Sequence, residues 1–210
     1  MTDRRNAQIS SRKQPRQARA VELVSAVLDA AVQVLAKEGA QRFTMARVAE
    51  RAGVSVGSLY QYFPNKAAIL FRLQSDEWRQ TTDLLRTILE DRGRRPLDRL
   101  RTLVHAFVQS ECDEASVRVA LDDAAPLYRD APEARAARES GTHTVLHFLR
   151  EVLPDAPDAA RALAGDLITT TLSQVGKHFS ETPRSPAEIE IYAGAMADMF
   201  CAYLKDLGHR

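Results

Sequence analysis

Ala49, Gly53, Val54 and Leu59 stand in a register that leaves this chain few choices of local fold. Two short helices that cross steeply need a connecting residue that accepts positive φ, and Gly53 supplies it. The first helix needs a small side chain where the second passes close, and Ala49 lies four residues before the glycine. Apolar side chains must pin the pair to a helix behind it. Val48 precedes the turn, Val54 lies in it and Leu59 follows six residues after Gly53. Thr44 is suited to cap the first helix, expected through Arg51, and Ser55 the second, expected to about Tyr62.

The same three- and four-residue periodicity runs through the rest of the chain. Leu23, Val27, Ala30, Ala31, Val34 and Leu35 form one apolar stripe from about Ala20, ended by Gly39 as a left-handed C-cap. Pro64 breaks the chain after Tyr62, and Asn65 caps a long helix from Lys66 to about Asp91. Pro96 opens a fifth helix, and a sixth at about 114–127 is interrupted by Pro126. A seventh spans about 132–153 and an eighth about 157–180. Ser185-Pro186-Ala187-Glu188 is a capping-box start for a ninth, ending near Leu207. No stretch alternates as a strand would, so the expected fold is all-α with about nine helices. The expected organisation is a basic arm over 1–18, a three-helix helix-turn-helix domain over 19–65 and a helical domain over 66–210.

Charge separates the two ends. The whole chain carries a formal +1, but residues 1–66 hold 11 Lys/Arg against 5 Asp/Glu. The basic excess lies where a helix-turn-helix would meet phosphates. Arg12, Lys13, Arg16 and Arg19 could extend those contacts from the arm, or the arm could be a start-site remnant. No run approaches the ~18 apolar residues of a membrane span, and the polar N-terminus does not read as a secretory leader. Two cysteines, Cys112 and Cys201, suggest neither a disulfide framework nor a zinc site. They read as small core residues, with redox sensing the lesser alternative, and the expected compartment is the cytoplasm.

Phe43–Leu70 closely resembles the signature of the tetracycline-repressor (TetR/AcrR) family. The resemblance lies in Phe43-Thr44, Val48-Ala49, Ala52-Gly53-Val54, Gly57, Leu59-Tyr60, Phe63 and Lys66. It implies a homodimer that sets two recognition helices in successive major grooves of a palindromic double-stranded DNA operator. The DNA-contacting set is then Thr44, Arg47, Ser55, Val56, Gly57, Ser58, Tyr60, Gln61, Tyr62 and Lys66. Gly57 lets the backbone approach DNA, Gln61 suits adenine, and Thr44, Arg47 and Lys66 suit phosphate. Of the two tyrosines, Tyr62 is expected to be the more exposed. Few of these side chains are long, so affinity should lean on phosphates.

The resemblance further implies an effector cavity in helices four to eight and a dimer interface from the last two. Trp78, Phe107, Tyr128, Phe148 and Phe179 are the aromatics that could line the cavity, though each taken singly reads more readily as plain core. Small residues in helix eight (Ala160, Ala162, Ala164, Gly165, Thr169–Thr171, Ser173, Gly176) and helix nine (Ala193, Gly194, Ala195, Ala197) permit close approach, across a two-fold axis or, as the lesser alternative, within the chain. Glu139, His143, His147 and Glu151 make a four-residue-step stripe that lacks an HExxH pattern, so a solvated face outweighs a metal site. Asp122 and Asp123 read as surface charges. Neither a metal nor a cofactor is expected. No phosphate loop or nucleophile elbow suggests an all-α enzyme, and about 140 residues beyond the head exceed what an architectural protein needs. The expectation is a repressor released by an unidentified small molecule. An activator, or a regulator answering to a protein partner, is the alternative.

Overall fold

The computed structural model describes residues 18–124 and 132–209. Among them are nine helices and no strand. They are α1 (Ala18–Arg42), α2 (Met45–Ala52), α3 (Val56–Tyr62), α4 (Lys66–Leu89), α5 (Pro96–Asp113), α6 (Ala115–Ala124), α7 (Pro132–Val152), α8 (Asp158–Ser180) and α9 (Pro186–Gly208). Packing divides these residues into two compact units. The first runs to Glu77 and takes in the segment from Ser116 to Arg135; the second holds Trp78–Ala115 and the chain from Ala136 onward. The expectations for Arg12, Lys13, Arg16, Pro126 and Tyr128, and for the side chains of Arg19 and Asp122, fall outside the described residues.

In the first unit the apolar stripe of α1 is buried at Val24, Val27, Ala30, Ala31, Val34 and Leu35. The helix breaks at Gly39, where φ is 73° and ψ is 171°. Only the positive φ of the expected C-cap is present. The extended ψ kinks the chain rather than reversing it, and the helix resumes to Arg42. Helix α2 packs on α1 and α3 on α2. Their joint core includes Phe43, Val48, Ala49, Leu59 and Phe63, each at most 1% exposed. Asn65 Oδ1 accepts the Ala68 amide at 2.9 Å and so starts α4 as its sequence suggests.

The second unit is built around α5, which packs against α8 and α9. Its core joins Leu100, Leu103, Val104 and Phe107 of α5 to Leu149 and Leu153 near the end of α7 and to Ile168, Leu172, Met196 and Phe200. Some of the small residues of α8 and α9 serve this core, while Ala162, Thr170, Ser173 and Ala195 are exposed. Ala164, Ala193 and Ala197 are fully buried, and Gly165 and Gly176 sit against Leu149 and Phe107. The large apolar residues Leu163, Leu167, Ile191 and Met199 instead point outward.

Arg99 is the most deeply buried polar side chain among the described residues. Arg99 donates to the Leu89 carbonyl at the end of α4 and to the Glu151 carboxylate on α7, and its guanidinium lies 5.6 Å from the Phe148 ring centroid. Its Nε has no partner. It therefore clamps α4, α5 and α7 together and offsets the partial negative charge at the end of α4.

Candidate nucleic-acid interface

Thr44 leaves the β region just before α2, and its hydroxyl accepts the Arg47 amide at 3.3 Å. Gly53 ends α2 in the left-handed region at φ 67° and ψ 28°, returning its amide toward Ala49 and Glu50. A residue with a Cβ is disfavoured there by about 1–2 kcal/mol. Ser55 then caps α3, its hydroxyl accepting the Ser58 amide at 3.0 Å and meeting the Ser58 hydroxyl at 2.8 Å. Each helix start in this segment is thus fixed by a side chain three residues away, and the turn between them by the backbone of Gly53.

The phase of α3 follows from that cap. Leu59 and Tyr62, three residues apart, face inward, and Phe63 closes the end of the helix. Val56, Gly57, Tyr60 and Gln61 lie exposed. The expectation for the tyrosines is corrected here: Tyr62 is 8% exposed and Tyr60 is 42% exposed. Tyr62 shares the inward side with Leu59, so its ring braces α3. The outward face of α3 carries no formal charge.

Cations flank this face on other elements. Lys66 is exposed at the first position of α4. Arg47 forms an ion pair with Glu38 of α1, and Arg51 donates from Nε to Gln33 Oε1 at 2.6 Å. Arg47 is therefore tied to α1. Sequence reasoning missed both α1 partners, because the turn at Gly39–Thr44 brings together residues with no local pattern to link them.

Of the aromatics expected at an effector site, Phe107, Phe148 and Phe179 belong to one core cluster. Phe148 lines an enclosed apolar void of about 20 Å³ with Leu85, Leu89, Leu103, Ile168 and Leu172 among others. Phe179 stacks on Tyr192, ring centroids 4.0 Å apart, and under the Arg184 guanidinium at 4.5 Å. Phe107 packs against Gly176, and Trp78 is half-buried. Glu139, His143 and His147 are exposed while Glu151 faces Arg99, and no group of three metal-ligating side chains converges among the described residues. Asp123 is exposed. Burial pushes the Cys112 and Cys201 thiols up, away from the thiolate form that redox sensing uses. Among the described residues no helix is long and apolar enough to cross a membrane.

Comparison with known proteins decides the family. A "Tetracyclin repressor-like, C-terminal domain" model matches residues 95–207, more than half of the chain, and a "Bacterial regulatory proteins, tetR family" model matches residues 27–73. The chain belongs to the TetR family. Its TetR-type head is the α1–α3 segment, and the helical C-terminal domain is the one built around α5, α8 and α9.

Within the TetR family, the chain is 29% identical over 131 residues to the HTH-type transcriptional repressor KstR of Rhodococcus jostii (strain RHA1). That match covers 62% of this chain and 60% of that repressor, so the chain spans about three-fifths of the length of this curated relative. Two solved structures share the fold. The fatty acid degradation regulator FadR from Bacillus halodurans superposes with a TM-score of 0.69 at 18% identity, over 89% of this chain and 96% of that one. The regulator FadR from Bacillus subtilis, solved in complex with stearoyl-CoA, gives 0.67 at 15% identity, over 84% and 97%.

Proposed function

We propose that this chain is a homodimeric repressor that grips a palindromic operator with α3 of each protomer and releases it when a small molecule binds the helical domain. The observation that carries this reading is the outward row Val56, Gly57, Tyr60 and Gln61, left uncovered on a helix whose other side is anchored by Leu59, Tyr62 and Phe63. Gly57 admits a DNA backbone closely, and Gln61 can pair with adenine in the major groove. Thr44, Ser55, Ser58 and Lys66 are placed for phosphates, and Arg47 would exchange Glu38 for one. Tyr62 acts by holding α3 in place.

The working division is an arm over 1–18, a DNA-binding domain over 19–65 and a sensing and dimerisation domain over 66–210. Leu163 and Leu167 of α8 and Ile191 and Met199 of α9, between 47% and 74% exposed, supply the apolar contact for a second copy. The protein works by binding alone, in the cytoplasm beside the DNA it reads. A fatty acyl-CoA is the first effector to test, since a family member of the same fold was solved with stearoyl-CoA. Such a ligand would shift a pre-existing equilibrium toward a dimer with the wrong half-site spacing.

The test is fluorescence anisotropy of the full chain on DNA taken from upstream of its own gene. Binding should weaken about 10³-fold or more between 50 and 200 mM salt if six or more phosphates are met. Long-chain acyl-CoA should then release the complex. A nearly flat salt dependence would sink the phosphate-led grip. An acyl-CoA that binds yet leaves operator affinity unchanged would sink the release mechanism.

A further inference from the structure

A cleft of about 540 Å³ opens in the second unit where the start of α5 meets the ends of α7 and α9. Its volume falls in the range of small-molecule sites. It shares no lining residue with the enclosed void beside Phe148. Leu97, Val152, Cys201 and Leu204 give it an apolar floor, and the Cys201 thiol donates to the Leu97 carbonyl at 3.7 Å. The α9 residues Cys201, Leu204, Lys205 and Gly208 recur at helical spacing, so one face of that helix forms a wall. At 100° per residue this face is turned about 170° from the outward Met199, so a second copy seated on Met199 leaves the cleft open, while Ile191 lies about 90° from it, ten residues before Cys201.

The charge of the lining is uneven. Arg95, Arg101 and Lys205 face Asp98 and Glu151. Both carboxylates are already engaged: Asp98 accepts from Arg95 Nε at 2.8 Å, and Glu151 accepts from the buried Arg99. Arg101 pairs with Asp198 at the rim. Among the described residues Lys205 makes no ion pair. Arg101 and Lys205 flank Cys201 closely enough that both charges act to lower its thiol against the larger effect of burial. The positive end of α5, which carries Asp98 in its first turn, is set against the negative ends of α7 and α9 that line the same cleft, so the attraction for an anion rests on Lys205 and Arg101. An amine would meet Lys205, the lining cation that no carboxylate pairs, and a wholly polar anion would leave the floor uncovered.

We propose that this cleft is a second ligand site, taking a small amphipathic anion whose carboxylate or phosphate head meets Lys205 and Arg101 while its apolar body covers Leu97, Val152 and Leu204. The site goes beyond the effector reading above and does not depend on it. A ligand seated there bridges α5 and α9, so binding stabilises the second unit.

Titration calorimetry on the full chain, without DNA, tests the site with octanoate, octyl phosphate, 1-octanol and inorganic phosphate. Octanoate or octyl phosphate should bind once per chain, and the preferred one names the head group. 1-Octanol and inorganic phosphate, each lacking one half of the ligand, should bind at least tenfold more weakly. Lys205→Glu should weaken the preferred anion roughly tenfold without lowering the melting temperature, and Arg101→Gln should weaken it further. Equal binding of 1-octanol would overturn the proposal. So would octanoate binding that survives Lys205→Glu but is lost in Ile168→Phe, which fills the enclosed void. The operator experiment can fail without affecting these outcomes, and these can fail without affecting that one.

Discussion

Tyr60 and Tyr62 are two residues apart, and a helix turns them to opposite fates. Tyr60→Ala should weaken operator binding while changing stability by no more than about 0.5 kcal/mol, as expected of an exposed side chain. Tyr62→Ala should cost about 3 kcal/mol of stability through the cavity it leaves, and lose DNA binding only as a consequence. Urea unfolding beside anisotropy separates the two; equal stability losses would refute the assignment. The inward turn of Tyr62 was misread from the sequence, although Leu59, three residues before it and buried, sets the phase of the helix. The caps at Thr44, Gly53 and Ser55 were legible, each being a local contact. The Arg47–Glu38 pair was not, since its partners lie on different helices with the kink at Gly39 between them.

Whole elements repeat that contrast between local and distant causes. The start of α9 is written in four consecutive residues, and the structure forms it: the Ser185 hydroxyl accepts the Glu188 amide at 3.3 Å, and the Ser185 amide donates to Glu188 Oε2 at 2.8 Å. The bond from the Ser185 backbone, then that from its hydroxyl, holds the Glu188 carboxyl below its ordinary range. A carboxyl lowered on folding stabilises the native state above its unfolded pKa of about 4.3, and that benefit fades as pH falls through the folded value. Thermal unfolding should therefore show wild type ahead of Glu188→Gln near pH 6, with the gap closing below about pH 4. A gap that holds constant with pH would assign the effect to something other than the carboxylate. The Arg99 clamp left no such mark in sequence, its carboxylate partner being 52 residues away.

For the molecule as a whole, helical periodicity was enough to announce nine helices, but not how they sort. The division into compact units falls inside the uninterrupted α4, between Glu77 and Trp78, where no glycine or proline marks it. The small residues of α8 and α9 were visible as a stripe, yet composition does not say which side of a helix faces its own core. With Ala164, Ala193 and Ala197 turned inward, the outward Leu167 and Met199 become the test of assembly. The wild type should sediment as a dimer, and the double variant Leu167→Glu/Met199→Glu as a folded monomer. A dimer that survives both glutamates would place the interface elsewhere.

The void beside Phe148 bears on timing. At about 20 Å³ it has room for roughly one water molecule. Anything larger than that water could enter only if the surrounding leucines part. Its arrival is then clocked by the breathing of the protein, and raising its concentration speeds uptake only until that opening rate is reached.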